Sequence, residues 1–207
     1  MEAKRVVGSV VSPSFYKRKD VVALAHDLIG KYLFTEIDGV VTGGIITETE
    51  AYAGETDKAS HAYGGRCTNR TATMYKEGGV AYVYLCYGIH SLFNIVTNEA
   101  GIPHAILIRG IEPTVGIEVM KERRGVKKAG ADFCIGPGKV AKALGIHYSH
   151  SGVVLDYVSE SQEVKIWLEE SGLIIPEEQI FITPRIGVDY AGEDAFLPYR
   201  FFLKKIK

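Results

Sequence analysis

Cysteine is scarce in this chain of 207 residues: Cys67, Cys86 and Cys134 make an odd set without a CxxC pair. That excludes a disulfide framework, a zinc ribbon and an iron–sulfur cluster. Tryptophan is scarcer still, with Trp167 alone and far along the chain. Apolar runs long enough to cross a membrane (about 18 residues) are missing, as is an apolar leader with a cleavage site. The expectation is a soluble intracellular protein, cytoplasmic, at the nucleoid or nuclear. Excess charge is missing too: 24 Lys and Arg face 25 Asp and Glu, for a formal net charge of -1. A polyanion partner would have to be met by cations gathered on one face. His147 and His150 stand three apart with no third ligand nearby, so a surface role is expected and no metal or cofactor is implied.

What is present is a hydrophobic share of 46% with 23 glycines and only 7 prolines, the make-up of a compact protein with many tight turns. The length suits one domain over residues 1–207. Met1 to Ser12 reads as an extended lead-in closed by Pro13. Asp20 caps a helix whose Val21, Leu24, Ala25, Leu28 and Ile29 follow helical spacing, and Gly30 stops it. Lys31–Ile37 and Val40–Ala51 flank Asp38-Gly39, a type I′ hairpin signal. A polar loop follows from Gly54 to about Thr73. Val80–Tyr87 and Ser91–Thr97 form a second hairpin turning near Gly88, and His104–Ile111 is a further strand. Helices are expected at Thr114–Arg124 and Lys139–Leu144. The tail from about Glu160 is mixed and ends in a strand at Tyr199–Lys204. Strands dominate the middle without βαβ alternation. The class is therefore α+β: one domain, a mostly antiparallel curved sheet with surrounding helices and a protruding hairpin.

Glu48 and Glu50 are two apart on a strand, so both carboxylates share a face. A charged strand end is more often solvated than functional, and for Glu48 the surface reading is preferred over a partner role. Tyr82 and Tyr84 share one side of their strand, and Tyr82 reads as core. Tyr87 has the opposite parity and falls at the turn, where an aromatic has little to bury against and becomes a candidate contact. Asn94 and Arg109 lie amid apolar residues and need partners there.

Together Glu48-Thr-Glu-Ala-Tyr52, His61, Ala81-Tyr-Val-Tyr-Leu-Cys-Tyr-Gly88, Asn94, Leu107-Ile-Arg109, Gly136-Pro-Gly-Lys139 and the tail Arg185-Ile-Gly-Val188 to Phe201 resemble the alkyladenine (3-methyladenine) DNA glycosylase family. The likeness covers nearly the whole chain in order. It implies a purine DNA glycosylase that rotates a damaged base out of duplex DNA and hydrolyses its N-glycosidic bond. By the same resemblance Glu50 is the catalytic base, and Arg109 with the Ile186 carbonyl holds the attacking water. Tyr52, His61 and Tyr84 wall the base pocket, Asn94 excludes guanine, and Tyr87 fills the vacated stack. Arg66 and Arg70 are candidate phosphate contacts, although the run after Arg66 fits the family pattern only loosely. Gly136-Pro-Gly-Lys139 is not a P-loop, but Lys139 at a helix start suits a DNA phosphate. The partner implied is double-stranded DNA containing damaged purines, bound by a monomer.

Two other classes compete. Glu48 and Glu50 could be the acid and base of a carbohydrate-directed glycosidase, since same-face strand neighbours lie roughly 6.5–7 Å apart. A non-catalytic binder of damaged DNA could share the fold, but a buried carboxylate near phosphates harms binding and makes sense only for chemistry. A glycosylase with lyase activity needs an amine nucleophile, and no lysine falls among the pocket candidates.

Overall fold

Side chains alternate across a strand, so each strand divides its residues between a core face and an open face. In this protein that alternation builds both the core and the site. The computed structural model describes residues 8–157 and 163–203. Expectations for residues 1–7, Glu160 and Lys204 lie outside the described residues.

The elements are α1 (Pro13–Tyr16), α2 (Val21–Asp27), β1 (Tyr32–Ile37), β2 (Val40–Tyr52), β3 (Val80–Cys86), β4 (His90–Thr97), β5 (His104–Val115), α3 (Ile117–Arg124), α4 (Pro137–Leu144), β6 (Lys165–Glu169), β7 (Ile180–Thr183) and β8 (Arg200–Leu203). The curled sheet runs β3-β4-β5-β2-β1-β6, with β8 pairing β2 and β7 pairing β8. All named pairs are antiparallel, and the α+β class holds.

Local chemistry explains most boundaries. The Asp20 carboxylate accepts from the Val22 and Ala23 amides, capping α2 as expected. Asp38 and Gly39 carry φ of 54° and 71°, as a type I′ turn between β1 and β2 requires. Three boundaries differ from the sequence reading. Pro13 does not close a lead-in; it opens α1, behind Ser12 as N-cap, because proline is preorganised for a first helical position. The same preference starts α4 at Pro137 rather than Lys139. Strand β5 continues through Pro113 to Val115, where a helix was expected from Thr114. Pro113 pairs Gly44 beside a register shift of the β2–β5 ladder, the kind of irregularity where a strand tolerates proline. Within the polar loop the chain forms short 3-10 turns at Gly54–Thr56, Tyr63–Gly65 and Ala72–Tyr75.

One face of the sheet packs against α2 and α4. Phe93 and Ile95 of β4, Ile106 and Ile108 of β5, and Ala51 of β2 join Leu24, Leu28, Val140 and Leu144 there, all fully buried. Trp167 is also fully buried. The residues between them point the other way: Glu50 and Tyr52, Tyr82 and Tyr84, Leu92 and Asn94, Leu107 and Arg109.

Strand β2 is where the sheet forks. Its first half pairs β1, and Glu48–Glu50 pair β8 instead, while β5 runs along the opposite edge. The β2–β5 register steps from Ile46↔Ile111 to Glu48↔Gly110 to Thr49↔Ile108, which leaves Thr47 and Arg109 unpaired in facing bulges. Bulges re-aim side chains, and this one turns Arg109 toward the two glutamates. Gly110 makes the close approach possible: a Cβ there would meet Thr47 Oγ1 at 2.9 Å and Glu48 Cβ at 3.0 Å. Gly110→Ala is expected to cost about 1–3 kcal/mol, the usual range for overpacking, read as a lowered midpoint in denaturant unfolding.

Candidate active site

On the open face a cavity of about 190 Å³ is lined by Tyr52, His61, Tyr82, Tyr84, Tyr87, Asn94, Arg109, Ile186 and Tyr190, among others. It is smaller than the roughly 300–1,000 Å³ clefts that take drug-sized ligands. A larger groove of about 840 Å³ lies beside it, lined mostly by apolar residues and reaching Glu48 and Arg200. The smaller cavity holds the convergent polar groups, and it is the better candidate for chemistry.

Glu50 is fully buried, one layer behind that wall. Three groups of the wall meet it. The Tyr52 hydroxyl donates to Oε2 at 2.8 Å, the Ile186 amide donates to Oε1 at 2.8 Å, and Arg109 Nε lies 3.4 Å from Oε1. Burial pushes the Glu50 carboxyl up from the usual range, against Arg109, the Ile186 amide and Tyr52, which favour its charged form. Burial and the adjacent Glu50 hold the Tyr52 phenol well above its ordinary value, so it stays a donor.

Glu48 is not the surface acid the sequence suggested. It is 6% exposed, and its Oε1 accepts from Arg109 Nε at 3.0 Å and from Arg200 Nε at 2.7 Å. The fork of β2 is the reason: it closes β8 over a position that would be a solvated strand end in a simple hairpin.

The aromatic wall is built by β3 and the loop after β2. Tyr82 is buried, as expected of an aromatic on a strand, but on the cavity side, and its hydroxyl meets His61 Nδ1 at 2.9 Å. The His61 and Tyr84 rings stand 4.6 Å apart and nearly perpendicular. Burial, then Arg70 and Arg66, push the imidazole down to about 4. Asn94 Nδ2 donates to the Tyr82 carbonyl at 3.1 Å and lies 3.4 Å from the Leu92 carbonyl, which fixes the side chain. At the hairpin tip Tyr87 is 93% exposed and has φ 50°, next to Gly88 with φ 73°. The Ile89 amide donates to the Cys86 carbonyl at 3.1 Å, so the tight turn accounts for the positive φ, but it puts a strained bulky residue where packing does not ask for an aromatic side chain.

The cationic candidates are more scattered. Arg66 and Arg70 are exposed on the loop after His61, and the Arg70 guanidinium lies 5.0 Å over the Tyr84 ring. Lys139 does not line the cavity; its ammonium is held by Asp132 at 2.6 Å. The Gly136 amide donates to the Arg109 carbonyl at 2.7 Å, so this segment secures the Arg109 bulge.

Sequence reasoning missed Asp57 and Arg185. The guanidinium meets the Asp57 carboxylate through two bonds of 2.5 and 2.9 Å, donates to the Ala51 carbonyl at 2.9 Å and lies 4.9 Å over the Tyr52 ring. Both residues are buried, and the pair fastens the segment carrying Ile186 against β2. Nothing local marks two residues 128 positions apart; the only hint was a charge amid a run of apolar residues and glycine.

Among the described residues no helix is long and apolar enough to cross a membrane, and no group of three or more His, Cys, Asp or Glu could hold a metal ion.

A curled antiparallel sheet with a buried carboxylate behind an aromatic cavity defines a class that the comparisons identify. The model of the methylpurine-DNA glycosylase family matches residues 14–207. A Chlamydia felis protein named "Putative 3-methyladenine DNA glycosylase" is 44% identical over 191 residues, covering 92% of this chain and 94% of its own. Proteins of the same name from Clostridium perfringens (strain 13 / Type A) and Bacillus mycoides are each 42% identical, covering 93% of this chain and 95% of theirs. The chain belongs to the methylpurine-DNA glycosylase family. It is a DNA glycosylase, a hydrolase acting on N-glycosyl bonds, and a protein of base-excision DNA repair.

Two outcomes follow for the site. Asp57→Asn, which leaves Arg185 buried without its counter-charge, is expected to destabilise by about 3–5 kcal/mol in denaturant unfolding. His61 is expected to titrate near pH 4 by NMR. Its folded value lies below the ordinary histidine value, so protonation favours the unfolded chain, and its contribution to stability is lost as pH falls from about 6.5 through about 4.

Proposed function

We propose that this glycosylase rotates alkylated or deaminated purines out of duplex DNA and hydrolyses them from the sugar with a water activated by Glu50. The substrates meant are 3-methyladenine, 7-methylguanine, hypoxanthine and ethenoadenine. The observation that carries this reading is the convergence of Tyr52, Arg109 and the Ile186 amide on one buried carboxylate.

A base inside a duplex is out of reach of any side chain, and a damaged or mispaired base is the least costly to unstack. Tyr52, His61 and Tyr84 receive it between their rings, with about 1–3 kcal/mol of stacking per base. An N-alkylated purine is cationic, so electron-rich rings add a cation–π attraction, and neutral His61 adds no opposing charge. Asn94, fixed by its backbone bonds, disfavours guanine by bulk at its exocyclic amine; 7-methylguanine carries the same amine, but its alkylated, cationic ring is a far better leaving group and offsets the penalty. Tyr87 fills the gap left in the stack, which gives its strained, solvent-facing conformation a use. Arg66, Arg70 and Lys139 meet phosphates, Lys139 exchanging Asp132 for the DNA.

The water takes the acceptor position on Glu50 that the Tyr52 hydroxyl holds in the free protein. As its oxygen bonds to C1′, the N-glycosidic electron pair leaves with the base and Glu50 takes the proton. Arg109 and the Ile186 backbone position the water, and the carboxylate stabilises the oxocarbenium-like sugar. Its raised value makes Glu50 a stronger base than a free carboxylate. Among the described residues no lysine lines the cavity, which favours simple hydrolysis and an intact abasic site over lyase chemistry. The carbohydrate rival loses its platform, because Trp167 is fully buried. The protein acts as a monomer, at the cell's DNA.

Glu50→Gln tests this on a panel of duplexes, each with one lesion. Base release in single turnover is expected to fall by about 10²–10⁴-fold, the contribution of a general base, with duplex binding retained. The variant should also melt at a higher temperature than wild type above pH 7, because the environment of Glu50 disfavours its charge. Unchanged release from the variant, or a borohydride-trapped protein–DNA adduct, refutes the mechanism.

A further inference from the structure

The Nε of Arg109 carries one proton and faces two carboxylates: Glu48 Oε1 at 3.0 Å and Glu50 Oε1 at 3.4 Å. Glu48 has the nearer claim. It also has a second cation, because Arg200 Nε donates to the same Oε1 at 2.7 Å. The four side chains form a line of alternating charge, Arg200–Glu48–Arg109–Glu50, that runs from the larger groove to the carboxylate behind the small cavity.

We propose that Arg200 and Glu48 are positioning residues for the reaction: Arg200 neutralises Glu48, so that Arg109 keeps its charge for Glu50. This rests on the reading of Glu50 as the base.

The geometry of Arg200 suits that role. Its Nη1 donates to Thr183 Oγ1 at 3.1 Å, and its guanidinium lies 4.5 Å over the Phe202 ring. A side chain held at three points delivers its Nε to one place. Packing alone does not ask for these charges, since buried ion pairs replaced by apolar residues are often no less stable. The β2–β8 register puts Arg200 opposite Glu50, yet its bond goes to Glu48, and among the described residues Arg109 is the one cation that reaches both acids. Without Arg200, the Glu48 carboxylate would sit beside Glu50 with Arg109 shared between them.

The charged and titratable groups facing Glu50 come from four elements: Glu48 and Tyr52 on β2, Arg109 on β5, Arg185 and Tyr190 on the segment between β7 and β8, and Arg200 on β8. Substitution at the outer pair should therefore act through charge with opposite signs. Glu48→Gln removes a neighbouring negative charge and is expected to lower the Glu50 midpoint by about 1 unit. Arg200→Gln leaves that charge unopposed and is expected to raise it by a similar amount, which below both midpoints slows base release about tenfold. The double variant should return near the wild-type midpoint, and Arg200→Lys should keep it.

The experiment titrates Glu50 directly by carbon NMR in these four variants and follows single-turnover base release from a lesion duplex against pH. Opposed shifts, restored in the double variant, support the pair as positioning residues. Shifts of the same sign, or midpoints that stay put while rates fall, overturn it. If Arg200→Gln does not fold, Glu48→Gln and Arg200→Lys still decide the sign. If the NMR midpoints move as expected and the acid limb of base release does not follow, the positioning pair stands and the reading of Glu50 as the base falls.

Discussion

Everything at the site depends on keeping one carboxylate charged without water. Glu50 has no exposed surface, and an isolated ionised carboxylate in that setting would simply take up a proton. The protein answers with an amide, a phenol and a guanidinium, each from a different part of the chain. They do not fully offset burial, and the carboxyl remains raised. The sign of that imbalance matters. A folded-state value above the unfolded one favours folding only at low pH and is lost as pH rises through it. Where it is ionised, Glu50 therefore works against the fold. If Glu50 is the base proposed above, desolvation strengthens a group the structure would be more stable without, which is the familiar conflict between activity and stability.

The fold resolves this by placing the site at the fork of β2. A strand within a uniform sheet has the same two neighbours along its length. Here β1 gives way to β8 just where the glutamates begin, and facing bulges aim Arg109 at them from β5. Three strands then converge on two acids. The remaining contact, the Ile186 amide, comes from a segment fastened by the Arg185–Asp57 pair. That pair also lies beneath Tyr52, so one buried ion pair fixes both the amide and the ring that touch Glu50.

This division between local and long-range explains what was legible in the sequence. Alternation showed that Tyr82 and Tyr84 share one side of β3, and apolar surroundings marked Asn94 and Arg109 as polar side chains in need of partners; the family resemblance grouped Tyr84, Asn94 and Arg109 with Glu50. Turn chemistry placed Asp38-Gly39 and the Tyr87 tip. What stayed hidden were contacts whose partners lie far apart in the chain: Asp57 with Arg185, and Glu48 with Arg200. The burial of Glu48 was misjudged for the same reason. Parity put it on the face of Glu50, but whether that face was open depended on β8, about 150 residues later, whose pairing no local pattern announces. The family resemblance carried the role of Glu50, and it was silent about the pair behind it.

The charge balance of the whole chain bears on how such a site meets DNA. With a net charge of -1 the bulk charge does not draw in a polyanion, and two cations at the site, Arg109 and Arg185, are committed to buried carboxylates. Attraction must rest on few exposed groups, and Arg70 already lies against Tyr84. On the function proposed above, specific hold comes from uncharged contacts: stacking on the aromatic wall and insertion of Tyr87. Both are available only where a base has left the duplex. A protein that binds intact DNA weakly and an extruded base well discriminates through the energy of extrusion, which damage lowers. On that proposal low charge would serve selectivity, because strong phosphate binding would hold the protein equally on every undamaged site.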